Sequence, residues 1–370
     1  MHWRRSSHSW LSLAGCLGLA LVMCRPGFAA EPRPITSRDL WAIERLGSPA
    51  LSPSGRRLAF TVQNWSVEKN TSTTHLWMMD LPDGAPRRLT TGEANDGSPA
   101  WSPDGTRLAF TSKRPGDDST ALYVMPVDGG EAEKVLEVPL GVDSPQWLPD
   151  GRHIVFGTGV PAGWAGGLTK SNLAAVRAAS KRREQPKMSA LATEDRLYRS
   201  WDRTLTGVEA SRLLRVEVSS REILDLTPAS SSWFEPRGGI TFRVAPDGRH
   251  VVLQSNSTRP PYRAPLNADL YLVSTDGSAE ARNLTPDNPG VDTTAAFAPD
   301  GRSIYFLRKK SPTDIGESAR LWRHDLATGR NTPLTAEVDL MFVEVRVAPD
   351  GQWIWLLGEE KGRAGIWRLK

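Results

Sequence analysis

The stretch SPAWSPDGTRLAFTS, Ser98 to Ser112, decides the fold. At its centre Ser102-Pro103-Asp104-Gly105 has the chemistry of a tight turn: proline presets φ at the second position, aspartate caps nearby amides, and glycine accepts positive φ. The flanks are apolar at alternate positions. Trp101 stands two residues before the proline, and Leu108 and Phe110 stand three and five residues after the glycine. Two strands joined by a turn are the reading.

The same tetrapeptide recurs as SPSG (Ser52–Gly55), LPDG (Leu148–Gly151) and APDG at Ala245–Gly248, Ala298–Gly301 and Ala348–Gly351. Its prolines, Pro53, Pro103, Pro149, Pro246, Pro299 and Pro349, are spaced by 50, 46, 97, 53 and 50 residues, the 97 being one unit plus an insertion. The alternating flanks persist in every copy, with Leu58/Phe60, Ile154/Phe156, Val251/Leu253, Ile304/Phe306 and Ile354/Leu356 following the other five turns. The residue between each pair is also mostly apolar, which predicts strands covered on both faces. A third strand follows at regular distance: HLWMMDL (His75–Leu81), ALYVMPV (Ala121–Val127), RLLRVEV (Arg212–Val218), DLYLVST (Asp269–Thr275), RLWRHDL (Arg320–Leu326) and IWRLK (Ile366–Lys370). Four units then reach a strand ending in Leu-Thr, at Leu89-Thr90, Leu226-Thr227, Leu284-Thr285 and Leu334-Thr335.

Four antiparallel strands repeated about every fifty residues predict an all-β fold, a β-propeller. Its blades fall at about 47–91, 92–137, 138–228, 229–286 and 287–335, with a partial sixth from 336 to 370. That sixth unit stops after its third strand, which reads as an incomplete gene product with an unpaired edge. Ahead of the blades, Thr36–Leu46 is predicted as a short helix, capped near Thr36 or Ser37 and stopped at Gly47, within an N-terminal segment 30–46. Blade three carries the insertion, roughly Gly157–Arg196, whose middle SNLAAVRAASKRREQPKMSALATEDRL predicts one or two short helices broken near Pro186. Its basic cluster Lys181-Arg182-Arg183 reads as a solvated helix face.

Residues 1–29 have the order of a secretory leader: Arg4-Arg5, the apolar run Leu11–Cys24, then small residues, with cleavage after Ala29. Secretion or a periplasmic location follows. Leu13-Ala14-Gly15-Cys16 also has the form of a lipoprotein signal, so a membrane attachment arises only through a lipid on Cys16. Both cysteines, Cys16 and Cys24, lie in this leader, leaving none for a disulfide or thiolate site beyond it. Charged residues at 24% and hydrophobic ones at 39% exclude a disordered chain and a multi-span membrane protein. The net charge of +4 includes Arg4, Arg5 and Arg25 of the leader, so nucleic-acid binding has no compositional support.

Catalytic motifs are not legible. No G-x-S-x-G elbow occurs, and no H-E-x-x-H, C-x-x-C or phosphate-cradling loop, so no catalytic residue, metal site or cofactor is assigned. His75, His153, His250 and His324 stand at repeat positions shared with unlike residues in sister units, which places them on strand exteriors. The tryptophans fall at strand positions and read as packing between blades. One segment breaks the repeat, Tyr198–Arg203 (YRSWDR), where the insertion returns to the blade. Arg199, Trp201 and Asp202 are the candidate substrate-gating residues there, near one mouth of the channel. The alternative is an Arg-Asp pair anchoring the insertion beneath Trp201.

In its N-terminal helix, SPALSPSGRRLAFTV, SPAWSPDGTRLAFTS, the insertion leading into LYRSWDR, DLYLVSTDGSAEARNLTP and FAPDGRSIYFL, the chain resembles the propeller half of dipeptidyl-peptidase-five and acylaminoacyl-peptidase-like enzymes of the prolyl oligopeptidase family. It departs at Ser200, where that family usually has histidine. The resemblance implies a propeller capping an α/β-hydrolase domain that carries a Ser, Asp and His triad in its C-terminal portion, a domain this chain lacks. It further implies an oligopeptide substrate, with the propeller gating access to the hydrolase and itself non-catalytic. A periplasmic TolB-like propeller that binds a protein partner is the alternative.

Overall fold

The computed structural model describes residues 4–5, 33–161, 164–183, 199–200, 203–204, 210–228, 240–256, 267–314 and 316–370. The repeated turns close as their chemistry demands. The glycine amide of each tetrapeptide donates to the carbonyl of its first residue, at 2.9 Å in Gly105→Ser102 and 3.1 Å or less in all six copies. All six glycines have φ between 64° and 71°, a region costly for any residue with a Cβ. Where aspartate precedes the glycine, its carboxylate accepts an amide two residues on, as in Thr106→Asp104 (3.0 Å) and Arg302→Asp300 (2.9 Å).

Six antiparallel units result. Blade one holds β2 (Arg45–Leu51), β3 (Arg57–Ser66), β4 (Thr71–Asp80) and β5 (Arg87–Arg88), and blade two β6 (Asp96–Trp101), β7 (Arg107–Ser112), β8 (Ala121–Pro126) and β9 (Glu133–Glu137). Blade three holds β10 (Asp143–Trp147), β11 (His153–Val160), β14 (Ala210–Glu217) and β15 (Ile223–Asp225). Between its second and third strands lie α2 (Leu173–Arg183) and a separate hairpin of β12 (Arg199–Ser200) and β13 (Arg203–Thr204). Blade four holds β16 (Thr241–Val244), β17 (His250–Asn256), β18 (Ala268–Ser274) and β19 (Arg282–Asn283), and blade five β20 (Val291–Phe297), β21 (Ser303–Lys309), β22 (Arg320–Asp325) and β23 (Asn331–Pro333). Blade six is β24 (Met341–Val347), β25 (Ile354–Glu360) and β26 (Arg363–Leu369), with the two-residue β1 (Arg4–Arg5) added at its edge.

Several details differ from the sequence reading. The first helix, α1, spans only Ser37–Ala42. Thr36 and Asp39 form a reciprocal capping box at its start. It ends early because Arg45 and Leu46 already pair with Gln63 and Val62 of β3, so blade one begins before Gly47. In blade three β11 continues through Val160, which pairs with Ala210; the insertion therefore starts after 160. The sixth sheet is more than its three strands, since Arg5 and Arg4 pair with Trp367 and Arg368. Pro186, residues 1–3 and 6–29 of the leader, and residues 30–32 lie outside the described residues.

What holds the units together is side-by-side stacking. Five apolar clusters join successive blades: Leu76 and Met78 meet Trp101, Leu108 and Phe110; Leu122 and Leu136 meet Ile154 and Phe156; Val155 and Leu213 meet Phe242 and Leu253; Val252 and Leu270 meet Ile304 and Phe306; Leu307 and Leu321 meet Val345 and Leu356. Burying each such side chain contributes roughly 1.5–3 kcal/mol. Tryptophans of the first strands add polar stitches between neighbours, Trp101 Nε1 donating to Ala50 O (2.9 Å) and Trp147 Nε1 to Ala100 O (3.2 Å). Among the described residues no cluster joins blade six to blade one. Among the described residues, the exposed large apolar side chains fall between Ile35 and Val67 or between Met341 and Ile366, on or beside these two end blades.

Among the described glycines, Gly157 on β11 makes the tightest approach to another blade: a Cβ there would lie 1.8 Å from Cγ2 of Ile240 in blade four. Gly157→Ala should therefore lower stability by about 1–3 kcal/mol through overpacking, read as a fall in the urea midpoint, whereas Gly301→Ala, with open space around it, tests backbone strain alone. An unchanged midpoint for Gly157→Ala would mean that blades three and four do not stack as described.

Candidate functional site

Antiparallel order sends every second-to-third strand connection to the end of the propeller opposite the Pro-Asp-Gly turns. The insertion leaves blade three at that rim, and its two ends are drawn together by the Val160–Ala210 pair. The insertion is fastened from two sides. Asp225, on the outer strand β15, accepts the Leu168 amide at 2.9 Å and the Thr227 amide at 2.9 Å. Arg212 of the neighbouring β14 is almost wholly buried and donates to Thr227 O. Burial pushes the Asp225 carboxyl up, opposed by those two amides and by the Arg212 charge. Leu168 and Val176 are buried in the cluster shared by blades two and three.

From the other side Arg177 of α2 reaches Asp118 (2.5 Å) and Glu137 (3.0 Å) of blade two. Glu137 and Asp117 share Lys134, at 2.9 and 2.7 Å, and Tyr123 donates to Asp117 at 2.8 Å. Burial, reinforced by Asp117, pushes the Tyr123 hydroxyl up to about 12. Arg114 lies 4.3 Å from the centre of the Tyr123 ring. These partners leave the charges of the cluster internally matched, and they fix α2 across two blades.

The sequence reading is corrected in part here. Among the described residues, Arg212 and Asp225 within blade three are Arg-Asp neighbours at the base of the insertion. Arg199 lies in β12, which pairs with β13 through Arg199–Thr204 and Ser200–Arg203. Trp201 and Asp202 lie outside the described residues, so the structure does not place the candidate gating set as a group. His75 and His324 are 3% and 2% exposed, not on strand exteriors, because each packs between blades. His153 is partly buried and hydrogen-bonds the turn residue Asp150 at 2.6 Å.

The same rim carries acids that the sequence reading passed over. Asp96 and Asp143 open the first strands of blades two and three, and Asp292 is the second residue of the first strand of blade five. Their signal is an aspartate four or five residues ahead of the aromatic that precedes each turn, Trp101, Trp147 and Phe297. Asp143 accepts the Ile240 amide of blade four at 3.1 Å. Asp96, 3% exposed, lies 3.8 Å from Nδ1 of His75 in blade one. Burial, then Arg88, holds the His75 imidazole below its ordinary range, with Asp96 opposing. Ser112 is register-paired with Asp96, but neither Ser112 Oγ nor His75 Nδ1 has a hydrogen-bond partner; this trio is not a nucleophile polarised by a base. Among the described residues no group of His, Cys, Asp and Glu has the arrangement to hold a metal, and no helix is long and apolar enough to cross a membrane.

Asp292 is fully buried and receives Nε and Nη2 of Arg308 at 2.7 and 3.1 Å; Arg308 also reaches Asp287 at 3.0 Å and lies 4.6 Å from the Trp322 ring centre. Burial raises the Asp292 carboxyl to about 6, against the pull of Arg308. A raised carboxyl takes up its proton more readily in the folded than in the unfolded chain, so its contribution to stability improves as pH falls through about 6. Arg308→Met should cost about 3–5 kcal/mol at pH 8, where a buried carboxylate is left alone, and clearly less at pH 5. Denaturant titrations at the two pH values check this; an equal loss at both would contradict it.

The chain matches the TolB beta propeller domain over residues 43–187. It is 26% identical to dipeptidyl-peptidase 5 of Porphyromonas gingivalis over 181 residues, a span covering 47% of this chain and 26% of that enzyme. Dipeptidyl-peptidase 5 of Aspergillus fumigatus is 25% identical over 150 residues, 38% of this chain and 21% of the relative. The matched stretch thus spans about a quarter or less of these relatives' length. Among solved structures, Pyrococcus horikoshii acylaminoacyl peptidase superposes with a TM-score of 0.64 at 15% identity, over 90% of this chain and 46% of its own. The beta-propeller domain of the Trilobed protease from Pyrococcus furiosus superposes with a TM-score of 0.56 at 15% identity, over 88% of this chain and 81% of its own. The chain is a β-propeller that is similar over residues 43–187 to the TolB beta propeller domain, in sequence to dipeptidyl-peptidase 5 and in fold to the propellers of acylaminoacyl and related peptidases.

Proposed function

We propose that this chain is the non-catalytic propeller portion of an exported serine oligopeptidase of the dipeptidyl or acylaminoacyl peptidase kind, and that it gates peptide access to a hydrolase domain. The observation that carries the reading is the likeness of a chain built of blades to part of a dipeptidyl peptidase. The rim geometry supports it. An insertion tied to blades two and three by Asp225, Arg177 and Val176 offers a fixed obstacle at one end of the propeller, and a fixed obstacle admits short, extended peptides more readily than bulky ones. In this reading residues 1–29 direct export and Arg199, Trp201 and Asp202 contribute to steering. A TolB-like protein-binding propeller is the second reading, favoured by the domain match over residues 43–187.

Fusing the chain to the hydrolase domain of a dipeptidyl-peptidase 5 tests the gate. The fusion should cleave a dipeptidyl chromogenic substrate yet disfavour a long peptide relative to the hydrolase domain alone, by about tenfold or more in kcat/KM, a barrier difference of ~1.4 kcal/mol. Arg177→Ala combined with Val176→Asp, which unfastens α2, should erode that discrimination. A fusion as permissive as the bare hydrolase domain would refute gating, and serine-reagent-sensitive hydrolysis by the chain alone would refute its non-catalytic role.

A further inference from the structure

Blades two and five carry a buried acid at one repeat position. Asp96 and Asp292 each stand five residues before the aromatic that precedes the turn, Trp101 or Phe297. Each begins a row across its blade: Asp96 pairs with Ser112 and Ser112 with Ala121, as Asp292 pairs with Arg308 and Arg308 with Arg320. Residues so paired face the same side of the sheet. In blade five the row neutralises its acid, for Arg308 sets two nitrogens on Asp292. In blade two a buried serine and a buried alanine fill the places of the arginines, so the row itself supplies Asp96 with no cation.

His75 of blade one approaches Asp96 without bonding it, Nδ1 lying 3.8 Å from Oδ2. Nδ1 of His75, Oδ1 of Asp96 and Oγ of Ser112 are all buried, and none has a hydrogen-bond partner among the described residues. Three such atoms, brought from β4, β6 and β7, call for something between them. The gap decides what fits. It is too long for a direct hydrogen bond. A water bonded to imidazole and carboxylate at about 2.8 Å, with a tetrahedral angle, would hold them roughly 4.6 Å apart. An ion about 2.1 Å from each would hold them roughly 3.4–3.8 Å apart for angles of about 110–130°. The observed separation is that of two ligands of one ion. Burial, then Arg88, holds the His75 imidazole below its ordinary range, which leaves Nδ1 a lone pair when the proton sits on Nε2.

We propose that Nδ1 of His75, the Asp96 carboxylate and Oγ of Ser112 form a site for one divalent transition-metal ion of the zinc kind, stapling blade one to blade two. Imidazole and carboxylate are donors that such ions accept, and a water completes the coordination. Only two of the donors come from His, Cys, Asp or Glu; the third is a hydroxyl. The ion gives Asp96 the positive charge that Arg308 gives Asp292. Arg88, exposed and bonded to Thr90 O at 2.6 Å, opposes the ion and sets a ceiling on its affinity.

The full chain, stripped with a chelator and titrated calorimetrically with Zn²⁺, should take up one ion per chain and gain in thermal midpoint. Mg²⁺, which prefers six oxygen ligands, should produce neither effect. Asp96→Asn and His75→Gln should each weaken Zn²⁺ binding by more than about a hundredfold, beyond the roughly 10–100-fold that the loss of an outer-shell partner costs. Because either change could loosen blade one by itself, Ser112→Cys supplies a gain in place of a loss. Its thiolate should tighten Zn²⁺ binding by about tenfold or more, thiolate being the softer donor. It should also give the Co²⁺ complex a sulfur-to-metal charge-transfer band that the parent chain lacks. No Zn²⁺ uptake by the parent chain, uptake unchanged in Asp96→Asn, or a Ser112→Cys chain whose Co²⁺ complex shows no thiolate band would each overturn the proposal.

Discussion

A four-stranded sheet with two apolar faces has no stable existence by itself, and the structure follows from that constraint. Every blade of this chain is greasy on both sides because alternate residues and the residues between them are apolar, as in Leu108-Ala109-Phe110. Stacking side by side around an axis buries both faces of each interior blade with no second layer of helices. The five inter-blade clusters are therefore the core, distributed among interfaces. The outermost faces of the series, near Leu46 and Leu51 at one end and Met341 and Leu357 at the other, stay exposed among the described residues.

This arrangement makes polar groups between blades consequential. At the seams, polar groups either find close partners, as Arg308 does between Asp292 and Asp287, or sit without a hydrogen bond, as Nδ1 of His75 does. The first kind ties register and pH response to the interface; the second carries a desolvation cost that the surrounding apolar contacts offset. The insertion uses the same economy. Asp225 accepts two backbone amides that would otherwise be stranded in a buried corner, and Arg177 bridges to a neighbouring blade.

How much of this could be read beforehand is set by the range of the forces. The turns were legible because Pro-Asp-Gly is a local device, and six copies made the propeller unmistakable. The capping box of α1 was legible for the same reason, but its end was not, since pairing of Arg45 with Gln63 depends on a strand eighteen residues away. The histidines misled because a slot occupied by Met79 in one blade and His324 in another suggests tolerance of solvent, while the interface between blades decides burial. The rim acids were invisible until register placed them, although their fixed distance from the aromatic before each turn was in the sequence throughout. The candidate set Arg199, Trp201 and Asp202 was chosen because it broke the repeat, and of it the described residues include only Arg199, in β12.

If stacking is the core, protection must be graded along the series: interior blades carry two stacked neighbours and end blades one. Native-state hydrogen exchange reads this directly. The account predicts the slowest amides in β11, β14 and β17, and faster exchange in β3 and β25 despite equally complete pairing with their sheet neighbours. Uniform protection across all six blades, or slowest exchange in the first or the sixth, would contradict it.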